Sequence, residues 1–133
     1  MHLCIYRKCF KKQNMRIGVV GINHKSAELN IREAVATACS KLFPRLNAIL
    51  LTTCNRTEIY FSGDDLAYFH GEILHALQTE ISFSFEHALY AYFGRDCFFH
   101  LACVTAGLDS IVIAESDIQR QVKKAYAEAA SPK

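Results

Sequence analysis

Two apolar stretches, residues 48–52 and 57–61, stand only four residues apart, separated by Thr53, Cys54, Asn55 and Arg56. The first is a continuous apolar run and the second alternates, so both read as strands joined by a tight connection. The pattern around them fixes the rest of the order. Residues 16–22 read as a buried strand in which Gly18 and Gly21 mark close backbone approach. A polar turn follows at 23–26. Apolar residues at 31, 34, 35, 38, 42 and 43 repeat with the period of one helix face, and Pro44 is expected to end it. Residues 62–65 form a turn and helix cap, after which Leu66, Phe69, Ile73 and Leu77 line a second amphipathic helix. A loop at 82–86 leads to a fourth strand at 89–93, closed by Gly94. A helix is expected over 95–106, stopped at Gly107. A short helical turn follows at 109–114 and a longer helix at 116–130. The last has Ser116 with Gln119 as a capping box and Ile118, Val122, Ala125 and Tyr126 as its apolar face. The predicted class is α/β in the α+β sense: a split β-α-β-β-α-β sheet with packed helices, followed by C-terminal helices.

At 133 residues the chain is one domain by size, large enough for a real core. Residues 1–14 carry no clear period and Met15 opens the first strand, so 1–14 is expected to be an extension and 15–133 the domain. The helix ending near Ser131-Pro132-Lys133 reads as the approach to a boundary or linker. A net charge of +2, with no dense basic tract beyond Arg7-Lys8 and Lys11-Lys12, does not mark a nucleic-acid binder by charge alone. Six cysteines without a secretory h-region point to free thiols in a reducing cytoplasm. No apolar run reaches the roughly 18–20 residues of a membrane span.

Cys54 is the leading chemical residue. A thiol at a strand end is well presented. A neighbouring cation, here Arg56, favours the nucleophilic thiolate. The competing reading makes Cys54 a small buried hydrophobe, Thr53 and Asn55 ordinary turn formers, and Arg56 a surface charge paired with Glu58. Cys97, His100 and Cys103 are spaced by three, but such residues spread over roughly 120° of a helix and converge poorly on one metal; no metal is expected. Gly18-Val19-Val20-Gly21 lacks the GxGxxG spacing of a dinucleotide loop. His70, His75 and His87 read as surface or core residues.

Three blocks, in order, resemble the glutamyl-tRNA reductase family. They are Gly21-Ile22-Asn23-His24-Lys25-Ser26-Ala27 with Ile31-Arg32-Glu33; residues Leu51 to Tyr60 around Cys54; and His100-Leu101 with Ala106-Gly107-Leu108-Asp109-Ser110 and residues 121–126. The resemblance implies the N-terminal catalytic domain of an enzyme that reduces glutamyl-tRNA to glutamate-1-semialdehyde with NADPH, the first step toward tetrapyrroles. It implies Cys54 as nucleophile forming a thioester and His100 as important for activity. Thr53, Asn55 and Arg56 would hold the glutamyl group, and Ser110, Glu115 and Gln121 would complete the pocket. NADPH would be bound by a domain absent from this chain. The full-length protein would be a homodimer, with the downstream aminomutase as a partner.

Chemistry is consistent with those roles. A thiolate can displace the tRNA hydroxyl from an ester, and the thioester accepts hydride more readily. Arg56 can grip a carboxylate in two-pronged fashion, and Glu115 can meet an ammonium. His100 can protonate the leaving ribose oxygen or orient the substrate. The chain departs from the family pattern at Ala114, Ser116 and Asp117, and Asp117 brings a negative charge where an amide is expected. Two rivals share the same residues. One is an unrelated thiol acyltransferase or hydrolase. The other is a binding module for RNA, haem or a regulatory partner, with Tyr60, Tyr90 and Tyr92 as candidate RNA-facing aromatics.

Overall fold

The computed structural model describes residues 16–108 and 117–131. The extension at 1–14, the turn at 109–114 and the Ser116 capping box lie outside the described residues. Strand β1 (Ile17–Asn23) is buried on nearly its whole length, which explains its unbroken apolar character. Helix α1 (Leu29–Leu42) follows, then β2 (Ile49–Thr52), β3 (Arg56–Ser62), α2 (Leu66–Glu80), β4 (Tyr90–Phe93), α3 (Arg95–Thr105) and α4 (Asp117–Ala130). The sheet order is β2-β3-β1-β4, antiparallel throughout. β3 is inserted between β1 and β2, which is the split βαβ arrangement expected from the element order.

Alternation along the strands gives the sheet two different faces. On one, Val20, Ile22, Ile59 and Phe61 pack under α1 and α2, against Val35, Cys39, Leu42, Ile73 and Leu77. On the other, Leu51 packs with Val104 of α3 and with Ile118 and Ala125 of α4. Gly21 of β1 lies opposite both Glu58 and Tyr90, and Asn23 lies opposite Arg56. This second face therefore carries polar residues between two covering layers.

Pro44 ends α1 as expected: the α-helix stops at Leu42, and the proline sits in the first turn of a short 3₁₀ segment, Phe43–Arg45, where its missing N–H has no partner to lose. Two local expectations change. Phe69 is 37 % exposed rather than inside. Its ring lies over Gly63, where a Cβ would come within 2.2 Å of it. Tyr126 is 65 % exposed. The α4 stripe runs through 118, 122 and 125, and position 126 falls roughly 80° from 118 around the helix. Asp65 caps α2 by accepting the Tyr68 N–H at 3.0 Å. Gly107, with φ 75°, stops α3 as the sequence suggests. Among the described residues no helix is long and apolar enough to cross a membrane.

Candidate active site

The connection between β2 and β3 is a closed turn with Cys54 exposed at its tip. Thr53 N–H donates to the Arg56 carbonyl at 2.8 Å. The N–H groups of Asn55 and Arg56 both donate to Thr53 Oγ1 at 3.2 Å. Thr53 thus shapes the turn with its hydroxyl oxygen, a side-chain turn of the kind threonine favours. The loop after β1 braces the turn. His24 N–H donates to the Asn55 carbonyl at 2.9 Å, and Arg32 Nη1 donates to the Cys54 carbonyl at 3.0 Å. The brace is itself ordered by Asn23, whose Oδ1 accepts the N–H groups of Lys25 and Ser26 at 2.9 and 3.0 Å.

Beneath the turn, Glu58 is the hub of a buried network. Its Oε1 accepts from Arg56 Nη1 at 3.0 Å and from the Tyr90 hydroxyl at 2.6 Å, and meets His100 Nε2 at 2.6 Å. Its Oε2 accepts from the Tyr60 hydroxyl at 2.6 Å. The side chain of Glu58 is fully buried and that of Arg56 is 2 % exposed. Burial alone would raise the Glu58 carboxyl. Hydrogen bonds from His100, Tyr60 and Tyr90, with the attraction of the imidazole, outweigh it and hold the group below the ordinary carboxylate range. The same burial, followed by the charge of Glu58, pushes the Tyr60 hydroxyl far up. The network therefore holds a fixed negative charge within reach of a neutral or cationic imidazole.

Arg56 is accordingly not a surface charge. It pairs with Glu58, but inside the protein. The cation that the structure places on the Cys54 turn is Arg32, which the motif Ile31-Arg32-Glu33 contained without a role. Glu58 was also missed as a site residue. Its signal was alternation: residues 56, 58 and 60 share one face of an interior strand, so a carboxylate there must be paired. Gly21 makes room for it, because a Cβ at that position would sit 2.7 Å from Glu58 Cγ.

His100 reaches the hub from α3, with its ring against Tyr92 at 4.9 Å and Tyr90 at 5.4 Å between centroids. Its helix neighbours at spacing three diverge. Cys97 is fully buried and its thiol is pushed up to about 11, by burial first and then by the Glu58 charge. Cys103 is half-buried and lines a cavity of about 690 Å³ with His100, Tyr90, Tyr92, Asn23 and Lys25. Among the described residues no three His, Cys, Asp or Glu side chains converge where a metal could be held. Tyr60 and Tyr90, candidates for an RNA-facing surface, spend their hydroxyls on Glu58, whereas Tyr92 is 39 % exposed. Asn55 is half-buried in the turn and Gln121 half-buried on α4. Ser110 and Glu115 lie outside the described residues.

Comparison with known proteins identifies the domain. Residues 20–133 match the family described as Glutamyl-tRNAGlu reductase, N-terminal domain. The chain is 43 % identical over 119 residues to glutamyl-tRNA reductase of Deinococcus radiodurans, covering 81 % of this chain and 32 % of that protein. It is 35 % identical over 127 residues to that of Shewanella halifaxensis, covering 86 % and 30 %. The solved glutamyl-tRNA reductase from Methanopyrus kandleri superposes with a TM-score of 0.65 at 32 % identity, covering 87 % of this chain and 28 % of that one. The chain thus spans about a third of the length of these relatives. A matching fold, relatives above 30 % identity and a family match over most of the chain lead to one conclusion: this protein belongs to the glutamyl-tRNA reductase family, as its N-terminal domain.

Proposed function

We propose that this chain is the acyl-accepting half of an NADPH-dependent glutamyl-tRNA reductase and that Cys54 takes the glutamyl group as a thioester. The observation that carries the reading is an exposed thiol on a braced turn, above a buried carboxylate–imidazole network, in a domain of this family. Cys54 Sγ attacks the ester carbonyl, the bond from that carbon to the ribose oxygen breaks, and the departing oxygen takes a proton. On this reading His100 supplies that proton or orients the ester. Glu58 holds the imidazole in one orientation through the 2.6 Å contact with its Nε2. Thr53 and Asn55 hold the glutamyl group, Arg56 shapes the pocket from beneath through its buried pair with Glu58, and Ser110, Glu115 and Gln121 complete it. On this assignment Glu115 faces the ammonium.

The described residues do not fit a dinucleotide. Gly18 and Gly21 lie inside β1, where the Phe61 and Glu58 side chains fill the space a phosphate would need. NADPH belongs on this reading to sequence outside the chain, and no reduction step is assigned to these residues. The product of reduction is glutamate-1-semialdehyde, and the full-length homodimer would pass it to an aminomutase. This chain by itself acylates and then loses the acyl group to water, as a slow esterase.

The test is incubation with glutamyl-tRNA followed by mass analysis. A glutamyl adduct confined to the peptide bearing Cys54, and lost in Cys54→Ser, is expected. An adduct that forms equally fast in Cys54→Ser would overturn the assignment.

A further inference from the structure

The nucleophile turn is held from outside its own hairpin. Two consecutive carbonyls, those of Cys54 and Asn55, accept hydrogen bonds from the segment running from the end of β1 into α1. The contact at Asn55 comes from the His24 backbone, which any residue at that position except proline supplies. The contact at Cys54 comes from a side chain, Arg32 Nη1 at 3.0 Å, and requires a long donor at position 32. Arg32 stands in the first turn of α1, with its own N–H bonded to the Glu28 carbonyl at 3.1 Å. Its Nε is buried and has no hydrogen-bond partner among the described residues. A buried donor left unmet is unfavourable, and such a group in a folded protein calls for an explanation. The guanidinium is held in place by its helix and by the Cys54 carbonyl, at the expense of its own full satisfaction.

We propose that Arg32 is a positioning residue for the reaction. Its charged hydrogen bond fixes the peptide plane after Cys54 and so the direction from which the thiol meets the ester. The inference rests on Cys54 being the acyl acceptor. Charge-assisted hydrogen bonds are among the stronger ones available for such a task, and displacing an attacking atom by about 1 Å costs on the order of 100-fold in rate.

Arg32→Ala and Arg32→Lys in this chain test the proposal with three readouts. They are single-turnover acylation by glutamyl-tRNA, alkylation of Cys54 by iodoacetamide across pH, and thermal melting. Arg32→Ala is expected to slow acylation at saturating tRNA by about 10- to 100-fold while the half-saturating tRNA concentration changes little. Alkylation needs no fixed direction of approach, and its limiting rate at high pH, where the thiol is ionised in every variant, is expected to be unchanged. Arg32→Lys retains a charged donor and recovers part of the loss, as does guanidinium added to Arg32→Ala. Should Arg32→Ala melt below the assay temperature, Arg32→Lys carries the same comparison. Parental acylation rates in the variants would overturn the proposal, as would equal losses of acylation and alkylation. If the parent chain itself forms no adduct on Cys54, the functional reading falls and this inference with it. An adduct formed equally by parent and Arg32→Ala removes only the inference.

Discussion

Single side chains decide the chemistry here, and Glu58 shows how. A carboxylate buried without partners would take up a proton; this one has four donors around it and keeps its charge. Replacing it by Gln removes the charge that Arg56, Tyr60, Tyr90 and His100 all meet, and breaking a buried network in this way destabilises by up to about 3–5 kcal/mol. Chemical denaturation of Glu58→Gln at neutral pH checks that loss. The pH dependence has a definite sign. The folded carboxyl titrates below its ordinary 4.5, so its contribution is complete above that value and drains away as pH falls through the folded value. The parent should lose stability on acidification below about 4.5, and Glu58→Gln should lose less over the same window. Glu86 is also lowered, by its own backbone, Gln78 and the Phe85 N–H, but it lies at the surface where solvent screens it. The cysteines divide just as sharply. Cys54 is exposed, whereas burial pushes Cys39 up to about 12 and Cys97 to about 11. Iodoacetamide on the native protein is therefore expected to mark Cys54 well before Cys39 or Cys97. Labelling of either buried thiol at the Cys54 rate would contradict that.

Elements were legible in the sequence where one period ruled, and less so where two demands met. The β2–β3 hairpin, the Asp65 cap and the Gly107 stop follow from local chemistry and stand as expected. Pro44 ends the α-helix as expected, and the 3₁₀ turn it opens was the part not foreseen, since a proline that stops one helix is equally at home starting such a turn. The turn and its thiol were recognisable, but the bracing by Arg32 was not. Periodicity marks which face of α1 is apolar and does not tell how far a long polar side chain reaches. The β1 glycines carry a testable difference. A Cβ at Gly18 meets the Phe61 ring at 2.6 Å, the far end of a rotatable side chain. At Gly21 it meets Glu58 Cγ at 2.7 Å and the Thr57 carbonyl at 3.1 Å, with Tyr90 on the other side. The second set is tied by hydrogen bonds and backbone and has less room to yield. Gly21→Ala is expected to destabilise by about 1–3 kcal/mol and to shift the His100 ring resonances, because Glu58 must move. Gly18→Ala should leave those resonances in place, and two identical spectra would refute the argument.

Across the whole molecule, the order of elements foretold one sheet with helices but not that the two faces would be so unequal. The face under α1 and α2 is a large continuous core, whereas the face under α3 and α4 is a small apolar cluster beside a polar network. Helical stripes in the sequence say that a helix is covered, not which side of the sheet covers it. That is why the site's third dimension, His100 over Glu58, could be named only through a family resemblance. The inequality has a dynamic consequence. Regions with fewer buried apolar contacts open at lower free energy, so the site face should open more readily than the α1–α2 face. Each face holds a buried thiol that reports on it: Cys39 in the large core, Cys97 on α3 beside the small one. Val35→Ala and Val104→Ala remove comparable buried groups from the two sides, each at about 2 kcal/mol. If the faces open separately, Val104→Ala accelerates labelling of Cys97 by roughly 30-fold under native conditions and leaves Cys39 nearly unchanged, since openings and labelling scale together. Val35→Ala acts on Cys39 through openings of the larger unit and leaves Cys97, which labels through the easier opening of its own face, nearly unchanged. Equal acceleration of both thiols by both substitutions would mean that the domain opens only as one cooperative body. The network around Glu58 would then be as rigid as the core behind it.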